Sequence, residues 1–241
     1  MARLLRTLSD SARYTAISRL WIRAHHPLSQ PTLTIHCVGL TEVGTLPNSN
    51  IGFQENAFDF VTCQTLLMHT QDPLRALQEM KRVLQPNGIL LCAEPINLIN
   101  RLEFSTITEH ADVKTLVDAF RLWLYFHRGI RNGNLGDHDI AAYLPALVER
   151  AGFGSIEAYT NDRAFVVLPS KCDPSVTSSK LEDVHVIRRR AIEGGASETD
   201  VGAGLAAIES LQELKEKQVT AGQYAQAGLS NMIAVGARKE S

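Results

Sequence analysis

Two short apolar runs with an amphipathic stretch between them dominate the middle of the chain. Residues 57–63 (AFDFVTC) and 89–93 (ILLCA) have the length and continuous apolarity of buried strands. Between them, Asp72 suits a helix N-cap and Pro73 the first helical position. Leu74, Leu77, Val83 and Leu84 supply one apolar stripe, and Pro86-Asn87-Gly88 stops the helix. The pattern predicts a β-α-β unit with two neighbouring parallel strands.

Upstream, 31–40 (PTLTIHCVGL) reads as a strand, followed by turn signals at 47–50. Downstream, a helix over 112–128 is capped by Asp112, and 131–139 (RNGNLGDHD) is a glycine-punctuated loop. A helix over 140–151 ends at Gly152 and leads to a strand at 155–159. Two polar helices follow at 179–193 and 198–218, the second opened by the capping box from Ser197 to Asp200. A strand at 231–237 (NMIAVGA) completes the pattern. Strands alternating with helices predict an α/β fold with a largely parallel sheet.

The first 27 residues set Arg3, Arg6, Arg13, Arg19 and Arg23 among Leu4, Leu5, Leu8, Ile17, Leu20 and Trp21, with Asp10 the one acid. This predicts an amphipathic helix that packs on the sheet or covers a substrate. The same composition also fits a mitochondrial presequence, so the expected compartment is the cytoplasm with the mitochondrion as the alternative. The expected organisation is a helical segment at 1–30 and an α/β domain at 31–241, with a helical insertion at about 175–220.

Composition narrows the function classes. At 241 residues, 44% hydrophobic and 21% charged, the chain is an ordinary globular one. A net charge of −2 gives no basic field for nucleic acid, and no apolar run spans a bilayer. Cys37, Cys63, Cys92 and Cys172 lie far apart, and the eight histidines show no metal-ligand spacing. No metal is expected, and a homo- or hetero-dimer mate is left open.

Within 57–97, Phe58-Asp59, Leu67-Met68-His69 and Arg82-Val83-Leu84-Gln85-Pro86-Asn87-Gly88 follow one another at set distances. This stretch resembles the region of class I S-adenosylmethionine-dependent methyltransferases from the fourth strand through the fifth. Asn87 stands where that family has glycine, and asparagine tolerates the left-handed backbone needed there. Ala151-Gly152-Phe153 is similar to the family's approach to its sixth strand, and Gly236-Ala237-Arg238-Lys239 to the end of its last. The resemblance covers most of 56–241 and implies a Rossmann-like methyltransferase sheet with added helices, S-adenosylmethionine as cofactor, and methyl transfer to a small molecule.

One family feature is missing. A glycine-rich turn after the first strand and an acid after the second bind the cofactor in that family, by the logic of mononucleotide folds. Two such β-α units need on the order of 60 residues, and the residues from 31 to 58 are too few. The sheet is therefore expected to be incomplete in its N-terminal half. Two further functions follow as alternatives: an inactive methyltransferase-fold binding or partner subunit, and non-methylating chemistry such as a cyclisation.

The candidate site residues cluster after strands. Carboxyl ends of parallel strands are where open α/β sheets bind ligands, and the resemblance places Cys63, Gln64 and Thr65 under the cofactor. Glu94 follows the next strand and is a candidate to orient a nucleophile or accept its proton, beside Asn97 and Asn100. His69 is a candidate general base, with a structural turn histidine as the competing reading. Arg131 and Asp137, with His138, are candidates for a substrate-side loop; a solvated turn explains them as well. Gly202-Ala203-Gly204-Leu205-Ala206-Ala207 matches a dinucleotide fingerprint but lacks the preceding strand and is expected to be a coincidence.

Overall fold

The computed structural model describes residues 19–25, 32–37, 40–45, 53–101, 105–160, 165–171, 183–228 and 232–240. The chain divides into two compact units. One comprises Met1–Ile96, Asp139–Asn161 and Met232–Ser241, the other Asn97–His138 and Asp162–Asn231. The division does not fall at residue 30, and the second unit takes in 97–138 as well as the helices expected near 175–220.

The first unit is built on a seven-stranded sheet of β1 (Arg19–His25), β2 (Thr32–Cys37), β3 (Leu40–Thr45), β4 (Phe58–Gln64), β5 (Leu84–Pro95), β6 (Gly154–Thr160) and β9 (Met232–Arg238). Its strand order is β3-β2-β1-β4-β5-β9-β6. The expected parallel pairing of β4 with β5 is present, with Val61 opposite Leu90 and Cys63 opposite Cys92. β1 also pairs parallel with β4.

The remaining neighbours, β1 with β2, β2 with β3, β5 with β9 and β6 with β9, are antiparallel. The expectation of a largely parallel sheet is corrected accordingly. Connection length gives the reason for the N-terminal strands: parallel neighbours need a crossover of about a dozen residues or more. The joints at 26–31 and 38–39 are shorter, so β1, β2 and β3 form a meander. The single strand expected over 31–40 becomes β2 and the start of β3. Over Arg19–His25 the expected N-terminal helix is a strand, in keeping with the consecutive Trp21 and Ile22, which favour extended backbone. Residues 1–18 lie outside the described residues.

Between β4 and β5 runs α1 (Pro73–Val83), whose N-cap Asp72 accepts from the Arg75 N–H at 2.9 Å. The Asp72 cap forms as expected; of the expected stripe Leu77 and Val83 are buried on the helix, Leu74 is half-buried and Leu84 already opens β5, while Ala76 and Met80 are buried as well. They pack with Val61, Cys63, Leu90 and Cys92 of the sheet and with Leu144, Leu147 and Val148 of α4 (Leu144–Arg150). Asn87 takes the left-handed conformation at φ 64°. Nearby, the Lys239 ammonium donates to the Leu84 carbonyl at 2.7 Å and to Asn56 Oδ1 at 2.9 Å, tying β9 to the amino ends of β4 and β5.

The second unit is mainly helical: α2 (Thr106–His110), α3 (Val113–Asn132), α5 (Val184–Glu193) and α6 (Glu198–Thr220), with a small antiparallel pair of β7 (Phe165–Val167) and β8 (Gln226–Gly228). Asp112 and Ser197 cap α3 and α6 as expected. The start of the helix expected at 179 lies outside the described residues. Leu122, Trp123, Phe126 and Ile130 of α3 pack on Ile187, Ala191 and Val201. Gly129 allows α3 and α5 to touch: a Cβ there would collide with the Arg190 carbonyl. The glycines of 202–207 lie inside α6, where a Cβ on Gly204 would sit 2.5 Å from Leu122 Cβ. That motif is a helix contact. Among the described residues no helix is long and apolar enough to cross a membrane.

Candidate functional site

The carboxyl ends of β4 and β5 lie side by side in the first unit, and four of the expected site residues meet there. Cys63 is fully buried opposite Cys92. A hydrogen bond with the Cys92 thiol, and then burial, push the Cys63 thiol well above its usual range. Its side chain belongs to the core, so only its backbone faces the strand end. Gln64 closes β4 and is exposed. Thr65 follows with a positive φ of 48°. A β-branched residue is strained in that region, and such strain gathers at functional sites. Its N–H donates to the Ala93 carbonyl at 2.9 Å, and its hydroxyl to the Gln64 carbonyl at 2.8 Å.

Glu94 is fully buried. Its Oε1 accepts the backbone N–H groups of Leu66 and Leu67, both at 2.9 Å, and Oε2 accepts that of Met68 at 3.2 Å. Burial raises its pKa from 4.5 to about 7, against the lowering effect of those three bonds. Both oxygens are engaged by protein donors, which gives the carboxylate a structural role beside the expected one of orienting a nucleophile or accepting its proton. Glu94 is a cap on the turn after β4, reaching from the end of β5. The sequence marks the glutamate but not its partners, because backbone N–H groups leave no trace in residue type. Leu66, Leu67 and Met68 are the participants that sequence reasoning missed.

His69 closes this turn, a 3-10 helix over Leu67–His69, and is half-buried. Its N–H donates to the Leu66 carbonyl at 3.0 Å. The substrate-side candidates belong to the second unit. Asn97 opens a 3-10 turn and donates its N–H to the His138 carbonyl at 3.1 Å. Asn100 lies in the same turn, its side chain outside the described residues. Arg131 and Asp137 form an ion pair at 3.3 Å across the glycine-punctuated loop, where Asn134 and Gly136 have φ of 53° and 93°. Among the described residues no group of histidine, cysteine or acidic side chains could hold a metal ion.

A cavity of about 320 Å³ lies at the opposite, amino-terminal ends of the strands. Its Lys81, Arg82 and Lys239 already donate to protein acceptors: Lys81 to the Gly152 carbonyl, Arg82 to Glu79 and Phe53, and Lys239 as described above. It is a structural seam.

Comparison with known proteins points to the same half of the fold. Residues 33–92 match the family model for a methyltransferase domain. Over 176 residues the chain is 28% identical to the probable methyltransferase ltbC of Aspergillus luteorubrus, covering 69% of this chain and 58% of that protein. It is 47% identical over 45 residues to demethylmenaquinone methyltransferase of Staphylococcus haemolyticus, covering 19% of each. The chain thus spans 58% and 19% of the length of these relatives. A crystal structure of a candidate methyltransferase from Bacillus halodurans C-125 aligns with 98% of this chain and 99% of its own at 13% identity and TM-score 0.44; the assignment does not rest on it. The family match over residues 33–92, the relatives, and the motifs carried on β4, α1 and β5 together support a class I S-adenosylmethionine-dependent methyltransferase family for this part of the chain.

Proposed function

We propose that the chain is a methyltransferase-like protein that holds S-adenosylmethionine at the carboxyl ends of β4 and β5 and presents it to a small molecule. One observation carries this reading. At the open end of two parallel strands, exposed Gln64 and left-handed Thr65 form a rim held against β5, where α/β sheets bind ligands. Backbone at 63–65 contacts the cofactor. His69, in the turn that follows the rim, is the proposed group for proton transfer, while methyl transfer itself needs chiefly alignment of nucleophile and sulfonium.

Calorimetry with S-adenosylmethionine and S-adenosylhomocysteine tests the reading. Saturable binding that weakens when Gln64 is replaced by leucine is expected. Absence of heat at millimolar ligand would reject it for the chain alone. The antiparallel meander β1–β3 supports a second reading, a partner subunit that binds the cofactor only in a homo- or hetero-dimer.

A further inference from the structure

We propose that Glu94, in its charged form, is the positioning residue for the cofactor rim, fixing the backbone of residues 65–68 through its three N–H bonds. The inference rests on the methyltransferase reading for what the rim binds, but not for how the rim is held. A carboxylate can accept all three N–H groups, since it has only acceptors. Protonation leaves the fourth acceptor site to carry the proton, but it turns three charge-assisted bonds into weaker neutral ones. The turn is then held less tightly, and Thr65, strained at φ 48° immediately before it, loses part of what holds it there.

Burial makes this switch operate near neutrality, as the rise of the Glu94 pKa to about 7 indicates. The titratable groups on the elements around Glu94 are Cys63 on β4, Cys92 on β5, His69 in the held turn, and Asp139 beside the 3-10 turn Ile140–Ala142 that packs on β5. Cys63 is driven upward and stays a neutral thiol. Across the sheet, Glu94 faces Ile233 of β9. Among the described residues no cation forms an ion pair with Glu94, so its three N–H partners carry the role.

Amide hydrogen exchange at Leu66, Leu67 and Met68, corrected for intrinsic rates, reads the turn directly, in the wild-type chain and in Glu94→Gln. Protection in the wild type should fall about tenfold as the pH drops from roughly 8 to 6, the size expected for one charge-assisted bond. In Glu94→Gln it should be low and flat with pH. An S-adenosylmethionine titration by NMR should follow the same profile, with affinity about tenfold lower in the variant at the higher pH. Because His69 remains in the variant, a flat profile assigns the titration to Glu94. Protection unchanged by both pH and substitution would overturn the proposal, as would protection that changes while affinity does not. If no S-adenosylmethionine binds at any pH but protection still tracks Glu94, the lock on the turn stands and the methyltransferase reading is what fails. If Glu94→Gln does not fold, the pH series in His69→Gln decides the matter: protection that still falls from about pH 8 to 6 belongs to Glu94, and a flat profile overturns the proposal.

Discussion

Glu94 is stabilised locally and penalised globally, and the two can be separated by pH. Its pKa is about 7 in the folded chain against 4.5 in its reference state. Between those values unfolding releases a proton, so stability from this group is fully present below about 4.5 and is lost as pH rises through about 7. The difference amounts to roughly 3 kcal/mol at alkaline pH. Glu94→Gln removes that slope: urea melts at about pH 5 and pH 8 should show the wild type losing roughly 3 kcal/mol more than the variant across the interval. A parallel pair of profiles would mean the carboxylate is solvated. Acid thus favours the folded chain while loosening the turn at 66–68, because protonation removes the buried charge and with it the charge assistance of the three N–H bonds. Thr65 gives a second residue-level test. A left-handed conformation costs an ordinary residue about 1–2 kcal/mol, which glycine avoids while losing about 0.5–1 kcal/mol to chain entropy. Thr65→Gly should therefore stabilise the protein by about 0.5–1 kcal/mol in a denaturant melt. Destabilisation would place the threonine in an ordinary conformation. Neither the strain nor the direction of the carboxylate was legible in the residues, since both depend on how one strand end meets its neighbour.

At the scale of elements, what was legible is what local chemistry decides. The unit β4-α1-β5 followed from buried runs, the Asp72-Pro73 start and the Pro86-Asn87-Gly88 stop, and it stands within a few residues of expectation. Asp72→Ala should cost about 1 kcal/mol, the loss of one N-cap bond. Leu77 is fully buried against the sheet, and Leu77→Ala should cost about 2–5 kcal/mol in the same melts. A harmless Leu77→Ala would mean that α1 does not pack as described. The meander β1–β3 was not legible as such. Within the described 19–25, Arg19 and Arg23 read as part of a helical face, whereas Trp21 and Ile22 carry the β preference that prevails there. Whether neighbouring strands run parallel or antiparallel was decided by loops, and the short joints at 26–31 and 38–39 were the available signal. The same limit applies to the helical second unit, where contact of α3 with α5 depends on Gly129, a residue that resembles any other helix glycine in the sequence.

At the scale of the whole molecule, the family's way of holding its cofactor meets a sheet with a different N-terminal half. The family resemblance implies a glycine-rich turn after the first strand and an acid after the second. Here β1 leads to β2 through 26–31 (HPLSQP), which contains no glycine, and β2 runs antiparallel to β1, so its carboxyl end points away from the ends of β4 and β5. On this sequence and strand direction, the family's backbone donors for the cofactor carboxylate and its acceptor for the ribose are not expected from this stretch. Each charged hydrogen bond contributes about 1.5–3 kcal/mol, so the loss of both weakens binding by roughly 100-fold or more. The 241-residue chain on its own is accordingly expected to bind S-adenosylmethionine well above the low-micromolar range in calorimetry. A low-micromolar constant for the monomer would show that other groups replace the two anchors and would favour the plain enzyme. Affinity that rises with protein concentration, in step with dimer formation measured by sedimentation, would show that a second chain supplies them.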